Sequence, residues 1–361
     1  MQKRIDFVLK ERTSDMNFLS LEVPVIQGGM GVGVSLGGLA GAVAKEGAVG
    51  TISTAQIGFR EPDFEHNPLE ANLRAMGKEI EKARKIAGGK GAIGVNIMTV
   101  TQNYDAYVEE AVKQKVDFIV SGAGLPMNLP SLVKESDVKI IPIVSSKRAA
   151  AVICKRWLKR ENRLPDAVII EGPKAGGHLG FSTDEIVKYT HCDIKYDEEI
   201  TNIINYIREL GAEHKLHIPV FVAGGYRTKQ DLEHALSLGA DGIQLATPFV
   251  TTKECDADLA FKMAYVNAKK EDICIVKSPV GMPGRAVRNA FVEKTVNDRI
   301  PVQKCYKCIS VCNPAETPYC ITQALIRAVT GDIENGLVFC GADAWKEDRI
   351  RSVKDVIEKF K

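Results

Sequence analysis

One unit recurs along the chain: a short apolar, β-branched run ending in Gly, Ser or Asn, followed by a polar, alanine-rich stretch with apolar residues at helical spacing. The apolar runs predict eight strands, at 23–30, 48–54, 92–98, 118–124, 140–146, 167–173, 218–225 and 242–249. The stretches between them predict helices near 35–46, 68–87, 104–114, 130–136, 147–159, 199–210, 228–238 and 257–269. Because parallel strands must be joined by crossovers, this alternation predicts an α/β fold, a closed (β/α)8 TIM barrel.

The predicted helix at 228–238 has the clearest end signals. Thr228 with Asp231 three residues later resembles a capping box, and Gly239 supplies a left-handed stop. Two helical stretches, 321–329 and 346–360, follow the last barrel unit, after a Pro- and Gly-rich segment at 278–289 that is predicted to be a loop. We therefore expect a barrel over 1–290 and a cysteine-containing helical and loop appendage over 291–361, packed on the barrel.

An open doubly wound sheet that binds a dinucleotide is the alternative architecture. The glycines of GGMGVGVSLGG (28–38) suggest it, but the G-x-G-x-x-G fingerprint fails because Leu36 stands where the third glycine should be. The strand count and the position of the glycines favour the barrel.

Composition and charge exclude several classes of protein. Lys and Arg total 48 against 46 for Asp and Glu, in no long block of either sign, so no nucleic-acid partner is expected. The first twenty residues are charged and contain no apolar run of membrane-spanning or signal-peptide type, which predicts a cytoplasmic protein without a membrane partner. Nine cysteines in such a chain indicate thiols or a metal site rather than a disulfide scaffold.

The active site of a barrel forms at the carboxyl ends of its strands, and small residues are concentrated there in this sequence. Gly28, Gly29 and Met30 end the first strand, and Asn96 lies near the end of the third. Such glycines let backbone amides approach a flat ring or a phosphate. These positions predict a ligand site at that end of the barrel.

A phosphate site is expected at the last two strands. Gly224 and Gly225 precede the helix that starts near Thr228, and Ala246 with Thr247 ends the eighth strand. Amide donors therefore converge where barrels commonly bind phosphate. Glycine pairs also serve ordinary tight turns, so the joint position of the two segments carries the prediction.

EGPKAGGHLG (171–180) follows the sixth strand and supplies the candidate for acid–base chemistry. Gly176 and Gly177 form a flexible backbone that presents His178 to the barrel mouth, where imidazole can exchange a proton near neutral pH. The other histidines lie in polar or helical stretches and are interpreted as structural: His66, His191, His214, His217 and His234.

Six motifs in this order resemble the nitronate monooxygenase family, formerly called 2-nitropropane dioxygenases, which also includes flavin-dependent enoyl-acyl-carrier-protein reductases. They are VPVIQGGMG, GVN (94–96), SGAG (121–124), EGPKAGGHLG, IPVFVAGG and GADGIQLATPF. The resemblance implies FMN as cofactor and His178 as the catalytic residue. It implies that FMN is bound by Gly28, Gly29, Met30, Asn96, Gly177, Gly224, Gly225, Gln244, Leu245, Ala246 and Thr247.

Monooxygenase members of the family oxidise an alkyl nitronate with flavin and O2 to a carbonyl compound and nitrite. By resemblance, His178 would orient the nitro oxygens of the substrate or remove the α-proton of a neutral nitroalkane. One departure bears on the substrate: family members commonly have an acidic residue before Ala-Gly-Gly-His, where this chain has Lys174.

Two other functions are left open by the sequence. The first is a reductase that takes hydride from NADH or NADPH and gives it to an enoyl thioester. The second is a flavin- or metal-holding redox sensor, in which the cysteine-rich tail rather than His178 is essential. A small organic substrate and O2 are the expected partners, and a homodimer is an expectation that the exposed appendage suggests.

Cys305, Cys308, Cys312 and Cys320 have the spacing C-x2-C-x3-C-x7-C. Thiolates so spaced can hold zinc or an iron–sulfur cluster, and the motif resembles that of the dienoyl-coenzyme A reductases except for its shorter last interval. Free thiols at the end of a packed loop are the favoured interpretation, so no metal ligands are predicted.

Overall fold

Eight parallel strands close into a barrel in the computed structural model, which describes residues 19, 21–191 and 196–361. The barrel strands are β1 Val25–Gln27, β2 Val49–Ser53, β3 Ala92–Met98, β4 Phe118–Gly122, β5 Lys139–Val144, β6 Val168–Glu171, β8 Val220–Ala223 and β9 Gly242–Leu245. The ring closes through β1 and β9, where Val25 is paired with Ile243 and Gln27 with Leu245. The predicted (β/α)8 barrel is confirmed, and the closed ring excludes the open doubly wound sheet.

Helices connect the strands and cover the barrel. They are α1 Gly37–Lys45, α2 Pro68–Ala87, α3 Tyr104–Lys113, α4 Leu129–Leu132, α5 Lys147–Glu161, α6 Thr183–His191, α7 Asp197–Glu213, α8 Lys229–Ser237, α9 Thr247–Val250, α10 Leu259–Val266, α11 Ala290–Asn297, α12 Ile321–Val329 and α13 Val353–Ile357. The end signals of α8 are confirmed, because Thr228 and Asp231 form the reciprocal capping box and Gly239 has φ +101°. Helix α6 was not predicted.

The eighth strand is shorter than predicted. It ends at Leu245, and the expected continuation to 249 is wrong, since Thr247–Val250 forms the short helix α9. Pro248 explains the difference, because a proline has no N–H to donate to a neighbouring strand but fits the first turn of a helix. The segment around the expected phosphate site therefore turns away from the barrel wall.

A second sheet of three antiparallel strands was not predicted. It consists of β7 Gly177–His178, β10 Ile273–Lys277 and β11 Pro283–Val287, in the order β10-β11-β7. The expectation that 278–289 is entirely loop is wrong for Pro283–Val287. Pro283 is the first residue of its strand, and a Cβ on Gly284 would lie 2.7 Å from the Phe339 ring. We call β7, β10 and β11 the cover sheet.

Two apolar layers stabilise the barrel. Alternate strand residues such as Ile26, Phe118 and Phe221 fill its interior, and a larger cluster that includes Leu39 and Trp157 lies between the strands and the helices. Burial of apolar side chains contributes about 25 cal/mol per Å² to the free energy of folding. Because side chains of the described residues fill the interior, a ligand of the barrel has room at its mouth.

Apolar contacts cross the predicted boundary at residue 290. One cluster joins Val276 and Val280 of the earlier segment to Phe291 and Leu337 of the later one. Farther along, α13 packs against α1, and Phe360 belongs to the barrel's main cluster. The division at 290 into two domains stays a prediction.

Within the ranges that the structure describes, no helix is both long enough and apolar enough to span a bilayer.

Candidate active site

A cleft of about 380 Å³ lies at the carboxyl ends of the barrel strands. This volume falls within the range of small-molecule sites. Eleven of the predicted site residues line it: Gly28, Gly29, Met30, Asn96, Gly177, His178, Gly224, Gly225, Gln244, Ala246 and Thr247. The structure therefore brings these sequence-predicted residues together at one place.

Leu245 is the predicted residue that does not line this cleft. Its side chain is fully buried in the cluster between strands and helices, and its carbonyl oxygen accepts a hydrogen bond of 2.8 Å from the amide of Gly28. The alternation along β9 explains this placement, because Gln244 faces the cleft and the next residue must face the opposite way. The side chain of Leu245 therefore points away from the cleft, and cofactor binding by this residue stays a prediction.

Two different causes explain the glycines that follow the first strand and lie in the cover sheet. A Cβ on Gly29 would lie 2.3 Å from the Cβ of Asn96, so glycine lets the chain that follows β1 pass this close to Asn96 of β3. At Gly177, which has φ +68°, a Cβ would meet nothing within 4 Å. The second position therefore borders open space in the cleft and needs glycine for its backbone conformation.

His178 lies in the cover sheet rather than on a free loop. Its backbone is paired with Gly284 of β11, and the next amide, that of Leu179, donates to the Pro283 carbonyl at 2.9 Å. Gly176 packs closely against the last segment of the chain, since a Cβ there would lie 2.6 Å from the Cys340 carbonyl carbon. Strand pairing thus fixes the position from which the imidazole enters the cleft.

Among the described residues, the imidazole of His178 is hydrogen-bonded to one side chain and lies against one aromatic ring. Its Nε2 lies 2.7 Å from the Ser278 hydroxyl, which also accepts from the amide of Val280 at 3.3 Å. The Phe339 ring contacts the imidazole edge-on, with ring centroids 5.0 Å apart. Burial lowers the pKa of His178 to about 4, so the ring is neutral at pH 7.

Glu171 is a second titratable residue of the cleft that sequence analysis did not select. It is the last residue of β6, is half-buried, and lines the same cleft as His178. Burial raises the pKa of Glu171 to about 8, against the smaller opposing effect of Arg285. The sequence signal was its place at a strand end, within a motif already selected for its histidine.

Arg285 shapes the loop between Glu171 and His178. This arginine on β11 is 3% exposed and donates hydrogen bonds to the carbonyl oxygens of Ala175 and Pro173. The loop therefore folds around the guanidinium group. Neither Arg285 nor Ser278 could be found from the sequence, because both lie about a hundred residues beyond the loop that they contact, in a segment without strand periodicity.

Positive charge and backbone amides meet at another part of the cleft. Gly224 and Gly225 both have φ +94°, and a Cβ on Gly225 would lie 3.0 Å from the Cβ of Lys174, whose side chain is exposed. Arg227 also lines the cleft and donates to Glu347 at 2.8 Å, but its buried Nε has no hydrogen-bond partner in the described part of the chain. This arrangement suits a phosphate group.

The other predicted features lie away from this cleft. His234 and His217 are surface residues that lie 3.1 Å and 3.4 Å from Asp197 and Asp241. His66 lines a smaller cavity, His214 is exposed, and the side chain of His191 lies outside the described ones.

The four cysteines of the C-x2-C-x3-C-x7-C motif form no disulfide bond in the described part of the chain. Cys305 is exposed, whereas Cys308 and Cys312 pack against an apolar cluster of the C-terminal region. Over 21–191 and 196–361, no three side chains of the metal-binding types are placed to hold an ion. Iron and zinc analysis of an anaerobically purified sample is the test that decides between free thiols and a cluster.

Comparison with known proteins assigns the family. The family model for nitronate monooxygenase matches residues 12–361. Probable nitronate monooxygenases from Staphylococcus aureus strains MSSA476 and Newman are 23% and 24% identical over 305 residues, which are 79% of this chain and 80% of each relative.

Solved structures agree with this assignment. FabK from Thermotoga maritima is 26% identical, with a TM-score of 0.71 over 97% of this chain and 94% of that one. Nitroalkane oxidase from Streptomyces ansochromogenes, at 19% identity and a TM-score of 0.71 over 97% and 96% of the two chains, shows the same fold. The chain belongs to the nitronate monooxygenase family and is a flavin-dependent oxidoreductase.

Proposed function

We propose that this enzyme uses FMN and O2 to oxidise alkyl nitronates to carbonyl compounds and nitrite. The observation that carries the proposal is the joint placement of a neutral histidine and a glycine-lined cleft at the barrel mouth, in a chain that matches the nitronate monooxygenase family over most of its length. The fold alone would not choose a reaction, because barrels host many chemistries.

The residues of the cleft fit FMN. Gly28, Gly29 and Gly177 leave backbone exposed for contact with a flat ring system. The amides of Gly224 and Gly225 would hold the phosphate, together with the unpartnered Nε of Arg227, which is the kind of buried donor that a bound anion satisfies. When bound, the flavin supplies an acceptor for two electrons that O2 can reoxidise.

His178 would position the substrate. If the Ser278 hydroxyl donates to Nε2, the ring carries its proton on Nδ1 and can donate a hydrogen bond to a nitronate oxygen. In the opposite tautomer, Nε2–H donates to Ser278 and Nδ1 can accept a proton. The direction of the hydrogen bond between His178 and Ser278 therefore decides whether the imidazole orients the substrate or acts as a base.

The low pKa of His178 favours the anionic nitronate over the neutral nitroalkane as substrate. A group whose pKa is about 4 binds a proton weakly at pH 7, so it is a poor base for removing hydrogen from carbon. A nitronate has already lost that proton and needs only to be oriented. The exposed ammonium group of Lys174 at the same cleft also favours an anion.

A reductase that takes hydride from NADH or NADPH and acts on an enoyl thioester is the second candidate. Lys174 supports it, because an exposed ammonium group at the edge of the cleft suits a nucleotide or another phosphate-bearing substrate. The two candidates differ in what reduces the bound flavin.

Anaerobic flavin reduction distinguishes them. The cofactor is first released from a sample of the purified protein and compared with FMN. The FMN-loaded enzyme is then mixed, without O2, with ethyl nitronate, nitroethane, NADH or NADPH. We expect rapid bleaching of the flavin absorbance by ethyl nitronate and much slower bleaching by nitroethane. Faster bleaching by a nicotinamide nucleotide than by the nitronate would reject the proposed function in favour of the reductase.

A further inference from the structure

Glu171 faces the ligand end of the barrel interior. Ile169 and Ala167, two and four residues earlier, pack in the interior cluster, and the alternation of β6 therefore directs Glu171 to the same side. Because it is the last residue of the strand, its carboxyl group reaches the cleft instead of the packed interior. A carboxyl group thus lies at the base of the proposed flavin and substrate site.

The carboxyl group of Glu171 has no partner within the described chain. No hydrogen bond or ion pair joins it to another described residue, and the guanidinium group of Arg285 is occupied by the carbonyl oxygens of Ala175 and Pro173. Glu171 is half-buried on the lining of the cleft, so its carboxyl group faces the space that a bound ligand would occupy.

The surroundings of Glu171 favour the protonated form. Arg285 on β11 interacts with it electrostatically, as does Tyr196, immediately before α7. The other charged or titratable residues that line the cleft are Lys174, His178, Arg227, Tyr226, Tyr265, Cys340 and Asp343. Burial outweighs the effect of Arg285 and raises the pKa of Glu171 to about 8, so the carboxyl group is neutral at pH 7.

We infer that the carboxyl group of Glu171 donates a hydrogen bond to an oxygen or nitrogen acceptor of the ligand that the cleft holds. The acceptor belongs either to the flavin ring or to the organic substrate, and both present such atoms. The inference rests on the proposed function only in placing flavin and substrate in this cleft. It gives the cleft a proton donor, Glu171, in addition to the neutral histidine that lines the same cleft.

The experiment has two arms, one for each acceptor. In the flavin arm, the pH dependence of FMN binding tests whether Glu171 donates a hydrogen bond to the flavin. Apoprotein is titrated with FMN between pH 7 and pH 9.5, and the dissociation constant is read from the quenching of flavin fluorescence. If the protonated group is required, binding should weaken about tenfold between pH 7 and pH 9, in step with its loss of a proton. Glu171→Gln keeps a donor that does not titrate, so its dissociation constant should lack this step.

The substrate arm uses nitrite, the proposed product, as an unreactive ligand of the FMN-loaded enzyme. Its binding is followed by the change in flavin absorbance over the same pH range. A step of similar size that appears only in this arm, and disappears in Glu171→Gln, places the hydrogen bond on the substrate. Glu213→Gln, at an exposed position on α7, is the matched control and should behave as wild type in both arms.

Two results would overturn the inference. Wild type and Glu171→Gln could show the same pH dependence in both arms, or binding could strengthen as the carboxyl group loses its proton, which would make Glu171 an acceptor. Neither of these two results can be confused with a failure of the proposed function. An enzyme that binds FMN and keeps the Glu171-dependent step, but is not reduced by nitronates, refutes the function and leaves the inference intact.

Discussion

The barrel mouth and the cover sheet enclose the same cleft but are built in different ways. The barrel mouth carries Glu171 and most of the glycines, at the ends of strands that follow one another in a regular pattern. The cover sheet carries His178 and Arg285, and its contacts join residues 100 and 110 positions apart. The comparison teaches that the repeated unit builds the binding site, while long-range pairing positions the histidine.

The same physical cause acts in opposite directions on the two regions. Burial penalises the charged form of any group, so it raises the pKa of Glu171 on the barrel and lowers the pKa of His178 on the cover. At pH 7 both groups are neutral. The cleft is therefore lined by two titratable groups that carry no net charge at this pH.

Removal of the imidazole should have the largest effect. We expect His178→Ala to lower kcat/KM for a nitronate about 10²- to 10⁴-fold, because the variant loses the group that orients or deprotonates the substrate. Flavin content should stay near that of wild type. The rate of nitrite release at steady state measures the effect, and His234→Ala, at an exposed position on α8, is the control. Near-normal turnover in His178→Ala would show that the histidine of the cover sheet takes no part in the reaction.

Loss of the guanidinium group of Arg285 should destabilise the cover sheet more than the barrel. In Arg285→Met the carbonyl oxygens of Pro173 and Ala175 lose their buried donors, which should cost about 2–4 kcal/mol of the free energy of unfolding. Urea unfolding measures this change. Arg288→Met removes a surface ion pair with Glu293 and should cost under about 1 kcal/mol; equal losses in the two variants would contradict the role given to Arg285.

The stability of the protein should depend on pH through Glu171. Its pKa in the folded state, about 8, exceeds the ordinary value of 4.5, so the folded state binds more protons and stability falls as pH rises through that window. Glu171→Gln should therefore raise stability on the order of 1–3 kcal/mol at pH 9, relative to wild type, and much less at pH 5. Thermal unfolding at the two pH values measures it, and an equal shift at both would show that the carboxyl group titrates normally.

His178 gives the opposite slope in a more acidic window. Its pKa falls from 6.5 to about 4 on folding, so the unfolded state binds more protons between these values. The stability that this group contributes is present above pH 6.5 and is lost as pH falls toward 4. In His178→Ala that acidic slope should be reduced, which the same unfolding measurements between pH 4 and pH 7 would show.

The smallest effect is expected at the hydroxyl that holds the imidazole. Ser278→Ala removes one hydrogen bond worth about 0.5–1.5 kcal/mol, so kcat should fall roughly 3- to 10-fold with flavin content unchanged. Ser278→Thr keeps the hydroxyl and should restore most of the rate. If the alanine variant turns over as fast as wild type, the orientation of His178 must come from strand pairing and Phe339 alone.

The sequence predicts the barrel and its glycine-rich mouth because both depend on local patterns. Alternating apolar runs, the capping box at Thr228 and the stop at Gly239 are each set by neighbouring residues. The cover sheet could not be predicted, since β11 contains Pro283 and Gly284 and is stabilised by partners far along the chain. The histidine was found from the sequence, but Ser278 and Arg285, which fix its surroundings, were not.

The packing of α13 against α1 has a consequence for how the protein is made. Val353, Val356 and Phe360 complete the apolar cluster that also buries Leu39 and Val43 of α1. Roughly 300 residues of chain separate the two helices, so contacts between them must wait for late stages of translation. Until α13 has been synthesised, the apolar face of α1 is incompletely covered, and we expect a chaperone to bind there.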